Sequence, residues 1–334
     1  MAKQTITIYD VAREAGVSMA TVSRVVNGNP NVKPSTRKKV SDVIDRLNYR
    51  PNAVARGLAS KKTTTVGVII PDVTNLYFSS LARGIDDIAS MYNYNIILAN
   101  SDGDTEKEKR VLNTVLAQQV DGVIFMGHEV NEEVRREIDL TDTPVVLAGT
   151  IDEENELPSI VIDYEKAIKD ATNLLIENGN DNVVLLGLDI DATKQNANKL
   201  GFRQALEEAD MTYDESKVIR LSPDRNFLEG VEVADRVLET GATAAVVEDD
   251  RLAIVLLNEL FEKGLSIPED FEIISSNNSP LVDIARPKIS SVTQPLYDLG
   301  AVAMRLLTKL MNEEETDELH ILLPYNITQR GSTK

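Results

Sequence analysis

The sequence contains no cysteine and no tryptophan, and its only histidines are His128 and His320. Without thiols the chain has no disulfide, no thiol nucleophile and no cysteine-ligated metal site. No apolar run reaches the ~18 residues of a membrane span, and no hydrophobic segment follows Lys3, so we expect neither secretion nor membrane insertion. These absences predict a cytoplasmic protein. The length of 334 residues predicts about two domains and a large core.

The motifs of several common enzyme classes are also missing. There is no Gly-rich phosphate loop, no Gly-x-Ser-x-Gly nucleophile elbow and no His-Glu-x-x-His zinc motif, because the His128-Glu129 pair lacks a second histidine. We interpret His128 as a polar loop residue after a strand. The sequence therefore predicts no enzymatic activity, no catalytic residues, no bound metal and no cofactor.

Positive charge is scarce overall but concentrated at one end of the chain. The net charge of −19 by itself disfavours binding to nucleic acid. Residues 1–62, which we call the basic segment, contain twelve Lys and Arg and four Asp and Glu, a net charge of +8. Residues 63–334, which we call the acidic body, contain 23 Lys and Arg and 50 Asp and Glu, a net charge of −27. Because physiological salt screens charges beyond about 8 Å, the basic segment can approach DNA despite the acidic body.

The basic segment has the pattern of three short helices. Residues 8–15 carry apolar side chains at helical spacing and end before Gly16, and Ser18 precedes a second periodic run over residues 19–26. Two helices joined by so tight a link predict a helix-turn-helix. A third amphipathic helix begins after Pro34 and contributes to the same small core. We expect the cations in its first turn to meet an external anion, because they oppose the helix dipole.

In a helix-turn-helix, the N-terminal side chains of the second helix contact base edges in the major groove. Arg24 can make a bidentate pair of hydrogen bonds to guanine, whereas Met19 and Ala20 offer apolar contacts to bases. Asn27 and Tyr9 are predicted to contact phosphates. The predicted DNA contacts of the three helices are Tyr9, Ser18, Met19, Ala20, Thr21, Arg24 and Asn27. A three-helix domain that binds no DNA is the alternative, but it would not need the positive charge.

Two stretches of the basic segment resemble a known family. Residues 8–28, IYDVAREAGVSMATVSRVVNG, and residues 50–59, RPNAVARGLA, are similar to the head and hinge of the lactose/galactose (LacI/GalR) repressor family. The resemblance implies a helix-turn-helix DNA-binding domain over residues 1–50. It also implies a hinge helix and linker over residues 51–62.

The hinge segment, residues 52–59, is too short for a stable isolated helix, because nucleation costs more than so few residues return. Two copies packed together over a DNA minor groove would order it, and Leu58 is the type of apolar side chain that wedges between bases and kinks the duplex. The resemblance assigns this role to Leu58 and places Asn52 and Arg56 near the DNA backbone. An ordinary flexible linker is the alternative, although such linkers favour Gly, Ser and Pro.

In the acidic body, short apolar runs alternate with amphipathic helices from Thr65 onward. Predicted strands include residues 66–70 and 145–148, and predicted helices include residues 78–92 and 164–177. This alternation predicts an α/β fold with parallel sheets that are covered by helices. A second series of strands begins after Pro158, so we predict two lobes, with a ligand cleft at the carboxyl ends of the strands.

The body resembles a two-lobed type I periplasmic sugar-binding protein, as the bodies of the repressor family do. That topology implies a first lobe of about residues 63–161 and 291–322. The second lobe comprises about residues 162–290 and 323–334. The whole of residues 63–334 is then the core that binds an effector or corepressor and forms the dimer.

Four residues are predicted to line the effector cleft. Family members that respond to sugars hold the ring with an arginine and an aspartate at the positions that Asn198 and Asn277 occupy here. Asp163 and Asp250 keep the acidic character of the family. Losing a bidentate donor removes about 1.5–3 kcal/mol of charged hydrogen bonding, enough to abolish a weak sugar site. A repressor controlled by a small sugar or sugar phosphate is therefore the alternative and not the leading prediction.

The helix after Pro295 has an apolar stripe and, four residues apart on its opposite side, Tyr297, Ala301, Arg305 and Lys309. The two cations suit a phosphate on a partner protein, although an ordinary solvated face is the alternative. Residues 294–309, 78–99 and 331–334 resemble a branch of the repressor family that controls carbon catabolism in low-GC Gram-positive bacteria.

The resemblance to that branch implies a protein corepressor, serine-phosphorylated HPr, bound on the first lobe. Arg305 and Lys309 would bind the phosphoserine, with Tyr297 and Asp298 beside it and Asp298 facing the histidine of HPr. We therefore predict a homodimeric transcription regulator that binds a pseudo-palindromic operator in double-stranded DNA. It would mediate carbon catabolite repression or activation. A sugar-binding or sugar-modifying enzyme with a fused DNA-binding head is a different class, and no candidate nucleophile supports it.

Overall fold

The computed structural model describes residues 6–50, 62–127, 129–189, 192–222 and 233–334. The predicted hinge contacts Asn52, Arg56 and Leu58 lie outside these residues, as does His128. The chain divides into two units, residues 1–63 and 64–334, and each is described by itself.

The first unit contains three helices, α1 (Ile8–Ala15), α2 (Met19–Val26) and α3 (Pro34–Leu47). Gly16 ends α1 in the left-handed conformation with φ 60°, which glycine adopts without a Cβ clash. Ser18 caps α2 by accepting a hydrogen bond from the Thr21 N–H at 3.2 Å. The small core consists of Val11, Ala12, Ala15, Val22, Val25, Val40 and Val43. The predicted helix-turn-helix is confirmed.

The second unit contains two six-stranded sheets. Strands of the first sheet pair in parallel in the order β11-β5-β4-β3-β1-β2. Their bounds are β1 (Thr65–Ile70), β2 (Asn95–Asn100), β3 (Gly122–Phe125), β4 (Val145–Ala148), β5 (Ser159–Val161) and β11 (His320–Leu322). The helices that accompany this sheet are α4 (Leu76–Met91), α5 (Thr105–Ala117), α6 (Glu132–Asp139) and α12 (Leu296–Met311). We call these elements the first lobe.

The second lobe is built around the other sheet, in the order β12-β10-β9-β8-β6-β7. Its strands are β6 (Val183–Leu188), β7 (Val218–Leu221), β8 (Ala244–Val247), β9 (Glu272–Ser275), β10 (Ser290–Thr293) and β12 (Asn326–Thr328). The pairings are parallel except for the antiparallel pair of β10 and β12. Its helices are α7 (Tyr164–Glu177), α8 (Ala192–Glu208), α9 (Val233–Leu238), α10 (Asp250–Glu262) and α11 (Leu281–Ile284), and a 3₁₀ turn spans Glu215–Lys217.

Parallel sheets flanked by helices confirm the predicted fold class, and burial explains why the central strands β1, β3, β4, β6 and β8 are almost entirely apolar. The chain passes between the sheets after β5, after β10 and after β11. Because β10 extends to Thr293 in the second sheet, the second passage lies a few residues later than the sequence prediction near Ser290. In parallel sheets all carboxyl strand ends lie at one edge, so this topology determines which loops of the second unit are neighbours.

Candidate nucleic-acid and partner interfaces

The outward side of α2 carries the residues predicted to contact bases. Val22 and Val25 are buried, so the other side of this short helix is left facing solvent. The side chains of Ser18, Met19, Ala20 and Arg24 are exposed, and Met19 is 40% exposed. Thr21 is half-buried, with its Oγ1 2.9 Å from the Ser18 Oγ. No other described element of this unit therefore covers the N-terminal turn of α2. The major groove of DNA is wide enough to admit an α-helix, so this turn can enter it.

The two predicted phosphate contacts also lie at the surface of this unit. Tyr9, in the first turn of α1, is 65% exposed. Asn27 follows the last residue of α2 and is exposed, and its Nδ2 donates to the Ser23 Oγ at 3.4 Å. Both side chains are therefore accessible from solvent.

Few cations of the basic segment have an acidic partner. Within residues 6–50, the ion pairs join Arg13 to Asp10 at 2.7 Å and Arg46 to Glu14 at 2.6 Å. Arg24 forms no ion pair in that range. The excess positive charge of this unit is therefore available to a polyanion.

The first-turn cations of α3 divide into two kinds. Lys38 and Lys39 are exposed and form no ion pair among residues 6–50. Arg37 instead donates a hydrogen bond to the Asn29 carbonyl oxygen at 2.5 Å. A loop carbonyl thus takes one of the Arg37 donors without neutralising its charge, and the prediction that an external anion meets these three cations stays a prediction.

The outer face of α12 carries the four predicted corepressor residues, Tyr297, Asp298, Arg305 and Lys309, and all four are exposed. Tyr297 donates its hydroxyl hydrogen to the Asp87 Oδ2 at 3.3 Å. Arg305 and Lys309 make no ion pair with any residue in the part of the chain that the structure describes. This face therefore offers two unneutralised cations one helical turn apart.

Ala301 does not belong to this outer face. It is 2% exposed and lies against α4. A Cβ at Gly84 would be 2.1 Å from the Tyr297 carbonyl oxygen, and one at Gly300 would be 2.0 Å from the Leu81 carbonyl oxygen. The two glycines bring the helix backbones into direct contact, which buries Ala301 and corrects the prediction that placed it with the exposed residues.

The predicted cleft residues are engaged in bonds within the second unit. Asp163 caps α7 by accepting from the Lys166 N–H at 2.9 Å. Asn198 donates from Nδ2 to the Glu248 Oε1 at 2.9 Å, and Glu248 also accepts from Arg220 at 2.5 Å. An arginine from β7 therefore supplies the positive charge in a cluster that contains Asn198.

Asp250 and Asn277 lie at the carboxyl ends of neighbouring strands. Asp250 is 3% exposed and accepts from the Ser275 hydroxyl and from the Ser279 N–H. Burial raises the pKa of the Asp250 carboxyl above its usual value, although these hydrogen bonds oppose the shift. Asn277 accepts from the Gln294 Nε2 at 3.3 Å. Asp163 forms no hydrogen bond with Asn198, Asp250 or Asn277 in the described ranges.

Several contacts between the two lobes carry no signal in the sequence. Arg251 donates to the Asp72 Oδ2 at 3.1 Å, and the Tyr164 hydroxyl donates to the Gly149 carbonyl at 3.0 Å. The Lys194 Nζ of the second lobe lies 5.1 Å from the centre of the Tyr77 ring in α4 of the first lobe. These partners lie on different elements and are 15 or more residues apart along the chain, so the periodicity of a single element could not have indicated them.

The described ranges offer neither a metal site nor a membrane-spanning helix. They contain no group of three or more His, Asp or Glu side chains positioned to hold a metal ion. No helix among those residues has the length and apolarity that a membrane crossing requires.

Comparison with known proteins places this architecture in a family. Residues 7–52 match the model described as bacterial regulatory proteins, lacI family, and residues 172–333 match the periplasmic binding protein-like domain. The catabolite control protein A of Streptococcus mutans serotype c is 56% identical over 330 residues, which cover 99% of this chain and 98% of that protein. The chain belongs to the LacI family. Family membership makes it a DNA-binding transcription regulator.

Two solved structures of LacI-family members extend the similarity to three dimensions. The crystal structure of the transcription regulator CcpA of Lactococcus lactis has 47% sequence identity and a TM-score of 0.76, and covers 81% of this chain and 99% of that one. A lac repressor dimer bound to operator and the anti-inducer ONPF has 25% identity and a TM-score of 0.86, with 99% of both chains covered. Within the LacI family, the chain is thus in the branch of the catabolite control proteins.

Proposed function

We propose that this protein is a regulator of carbon catabolite genes that binds a pseudo-palindromic operator as a homodimer in the cytoplasm and catalyses no reaction. The exposed N-terminal turn of α2, with Arg24 one turn on and unpaired in its unit, carries this proposal. Two such helices on a two-fold axis require two matching half-sites in the DNA. The similarity to a lac repressor dimer bound to operator supports the dimer.

The proposal assigns three functions along the chain. Residues 1–50 read the major groove through the contacts described for α1 and α2. Residues 51–62 form the hinge, in which Leu58 enters a base step from the minor groove and Asn52 and Arg56 lie near the DNA backbone. Residues 63–334 form the dimer and bind the corepressor.

The outer face of α12 is the proposed corepressor site, and serine-phosphorylated HPr is the proposed corepressor. A phosphoserine carries a charge of about −1.5 to −2 at neutral pH and three strong acceptor oxygens. Arg305 presents a planar guanidinium that matches two of these oxygens, and Lys309 adds a second charge one turn further. Tyr297 and Asp298 lie at the start of the same helix, where they would flank the bound protein.

Corepressor binding would affect DNA binding by favouring one arrangement of the lobes. An arrangement that brings the two hinges together lowers the cost of ordering them in the minor groove. The coupling free energy expected for such a linkage is about 1–3 kcal/mol, which corresponds to a 5–150-fold change in operator affinity.

Replacement of Arg305 tests the corepressor site. We expect Arg305→Ala to abolish the increase in operator affinity that serine-phosphorylated HPr produces, without changing operator affinity in its absence, as measured by fluorescence anisotropy. Arg110→Ala is the matched control, because Arg110 is another exposed cation of the acidic body and forms no ion pair among the described residues. A full response to phosphorylated HPr in Arg305→Ala would show that the corepressor binds elsewhere.

Control by a sugar or sugar phosphate receives less support from the cleft. Asn198, Asp250 and Asn277 form hydrogen bonds with neighbouring protein groups, so a sugar would compete with those bonds, although the Asn198 Oδ1 has no partner among the described residues. We expect no heat of binding when glucose or glucose 6-phosphate is titrated into the protein in a calorimeter. A saturable heat that Asn198→Ala removes would instead identify the cleft as an effector site.

A further inference from the structure

An arginine joins the two lobes at the edge where their strands end. Asp72 follows β1 of the first lobe by two residues. Asp249 and Arg251 lie at the beginning of α10, directly after β8 of the second lobe. We propose that Arg251 clasps the two lobes together, so that the chain's own ion pairs, and not a small molecule in the cleft, hold their arrangement.

The guanidinium group of Arg251 contacts both lobes at once. Its Nη1 donates to the Asp72 Oδ2 at 3.1 Å, across the lobes. Its Nε and Nη2 donate to the two carboxylate oxygens of Asp249 at 3.2 and 3.0 Å, within the second lobe. The pairing with Asp249 uses two parallel N–H groups and fixes the plane of the guanidinium, which leaves the remaining nitrogen directed at Asp72.

The acceptor on the first lobe is held in place as well. The Asp72 Oδ1 accepts from the Thr74 N–H at 2.8 Å and from the Thr74 hydroxyl at 2.6 Å, so the other oxygen faces Arg251. Burial opposes ionisation of this carboxyl, but the Thr74 hydrogen bonds and the charge of Arg251 lower the pKa of Asp72 below its usual value. The carboxylate is therefore ionised at neutral pH and oriented before Arg251 meets it.

A second contact runs parallel to the arginine. Asn75 caps α4 of the first lobe and Asp249 caps α10 of the second, and the Asn75 Nδ2 lies 3.5 Å from the Asp249 Oδ2. Both capping residues are buried. The N-terminal ends of two helices from different lobes thus meet at one carboxylate, which helix dipoles favour.

Partial burial makes the clasp stronger than a surface ion pair. The side chains of Arg251, Asp249 and Asp72 are 21%, 12% and 39% exposed. Salt screens exposed pairs efficiently and partly buried pairs less. A three-membered network with a shared guanidinium also loses less side-chain freedom per bond than separate pairs. The clasp should therefore persist at physiological salt.

The distance between the lobes measures the clasp directly. Because the chain has no cysteine, two introduced cysteines are labelled without removal of any native residue. Leu140, 77% exposed beside α6, and Leu200, 45% exposed in α8, provide one site on each lobe. The full chain carrying Leu140→Cys and Leu200→Cys is labelled with a nitroxide at both cysteines. Pulsed electron–electron double resonance then gives the distribution of distances between the two spin labels. An excess of unlabelled chain suppresses signals between subunits.

We expect Arg251→Gln and Asp72→Asn each to lengthen and broaden this distribution relative to the parent. The double variant should change it no more than the larger single change, because both substitutions break one contact. Lys169→Gln is the matched control, since the 2.7 Å pair of Lys169 with Glu208 lies entirely within the second lobe, and it should leave the distribution unchanged.

Distributions identical to the parent in both single variants, with native circular dichroism, would overturn the proposal, as would additive changes in the double variant. Asp72→Asn keeps the experiment decisive if Arg251→Gln does not fold, since Asp72 is the more exposed partner. The measurement needs neither DNA nor phosphorylated HPr, so its outcome is independent of the proposed operator and corepressor sites.

Discussion

The basic segment and the acidic body handle their cations in opposite ways. In residues 6–50 only Arg13 and Arg46 pair with an acid, whereas in the body most described Lys and Arg side chains form ion pairs, among them Arg135 with Asp152. Arg305 and Lys309 are exceptions within the body. The comparison teaches that the net charge of −19 does not describe the basic segment, where unpaired cations leave positive charge available to an anionic partner.

Removing the basic segment should have the largest effect on DNA binding. A chain of residues 63–334 should lose operator affinity by about 10³-fold or more, because its remaining surface is strongly acidic and has no groove-reading helix. Electrophoretic mobility shift with operator and random DNA measures this loss. Operator affinity that survives the deletion would contradict the assignment of DNA binding to residues 1–62.

Replacing Arg24 tests base recognition within the segment. Arg24→Ala should cost about 1–3 kcal/mol in operator binding and relax the preference for guanine at one position of each half-site. Competition binding against operators mutated at single positions measures both effects. Arg13→Ala is the control, because Arg13 already pairs with Asp10 and should affect all sequences weakly and alike. Equal losses for the two variants would argue against base contact by Arg24.

Within the acidic body, the contact between α4 and α12 can be tested by its effect on the proposed corepressor site. A Cβ at Gly84 would overlap the Tyr297 carbonyl, so Gly84→Ala should destabilise the protein by about 1–3 kcal/mol through overpacking. Urea denaturation measures the change. It should also weaken the binding of phosphorylated HPr, because Tyr297 shifts, whereas Ser90→Ala at the exposed end of α4 should change neither quantity.

The smallest effect should come from a single phosphate contact. Lys38→Ala should weaken binding to operator and random DNA alike, by a few-fold, and lower the slope of log affinity against log salt concentration by about one. Titrations at several salt concentrations measure this slope. A loss confined to the operator would indicate that Lys38 reads sequence and would change its assignment.

Local signals predicted much of the fold. Gly16 predicted where α1 ends, Ser18 and Pro34 predicted where α2 and α3 begin, and β4 and α7 coincide with their predicted residues. In contrast, β7 and α6 were not predicted. The short β7 carries Arg220, which interrupts its apolar pattern, and α6 has only two buried side chains among its eight residues. Such elements depend on neighbours in space and not on their own periodicity.

The candidate sites divide in the same way. The exposure of Arg24, Arg305 and Lys309 follows from helical spacing alone. The burial of Ala301 does not, because it requires Gly84 of another helix to approach. The contact of Arg251 with Asp72 is equally invisible in the sequence, since it depends on two strand ends from different sheets that meet at one edge.

The direct contact of α4 and α12 at Gly84 and Gly300 has a mechanical consequence. Side chains change rotamer within nanoseconds and can absorb small displacements between packed helices, but a backbone pressed against a backbone has no such cushion. A displacement of α12, such as one caused by a bound partner, should therefore displace α4 by a similar amount. We expect α4 and α12 to move together as one rigid unit. A larger residue at Gly84 or Gly300 can then be accommodated only if the two helices move apart.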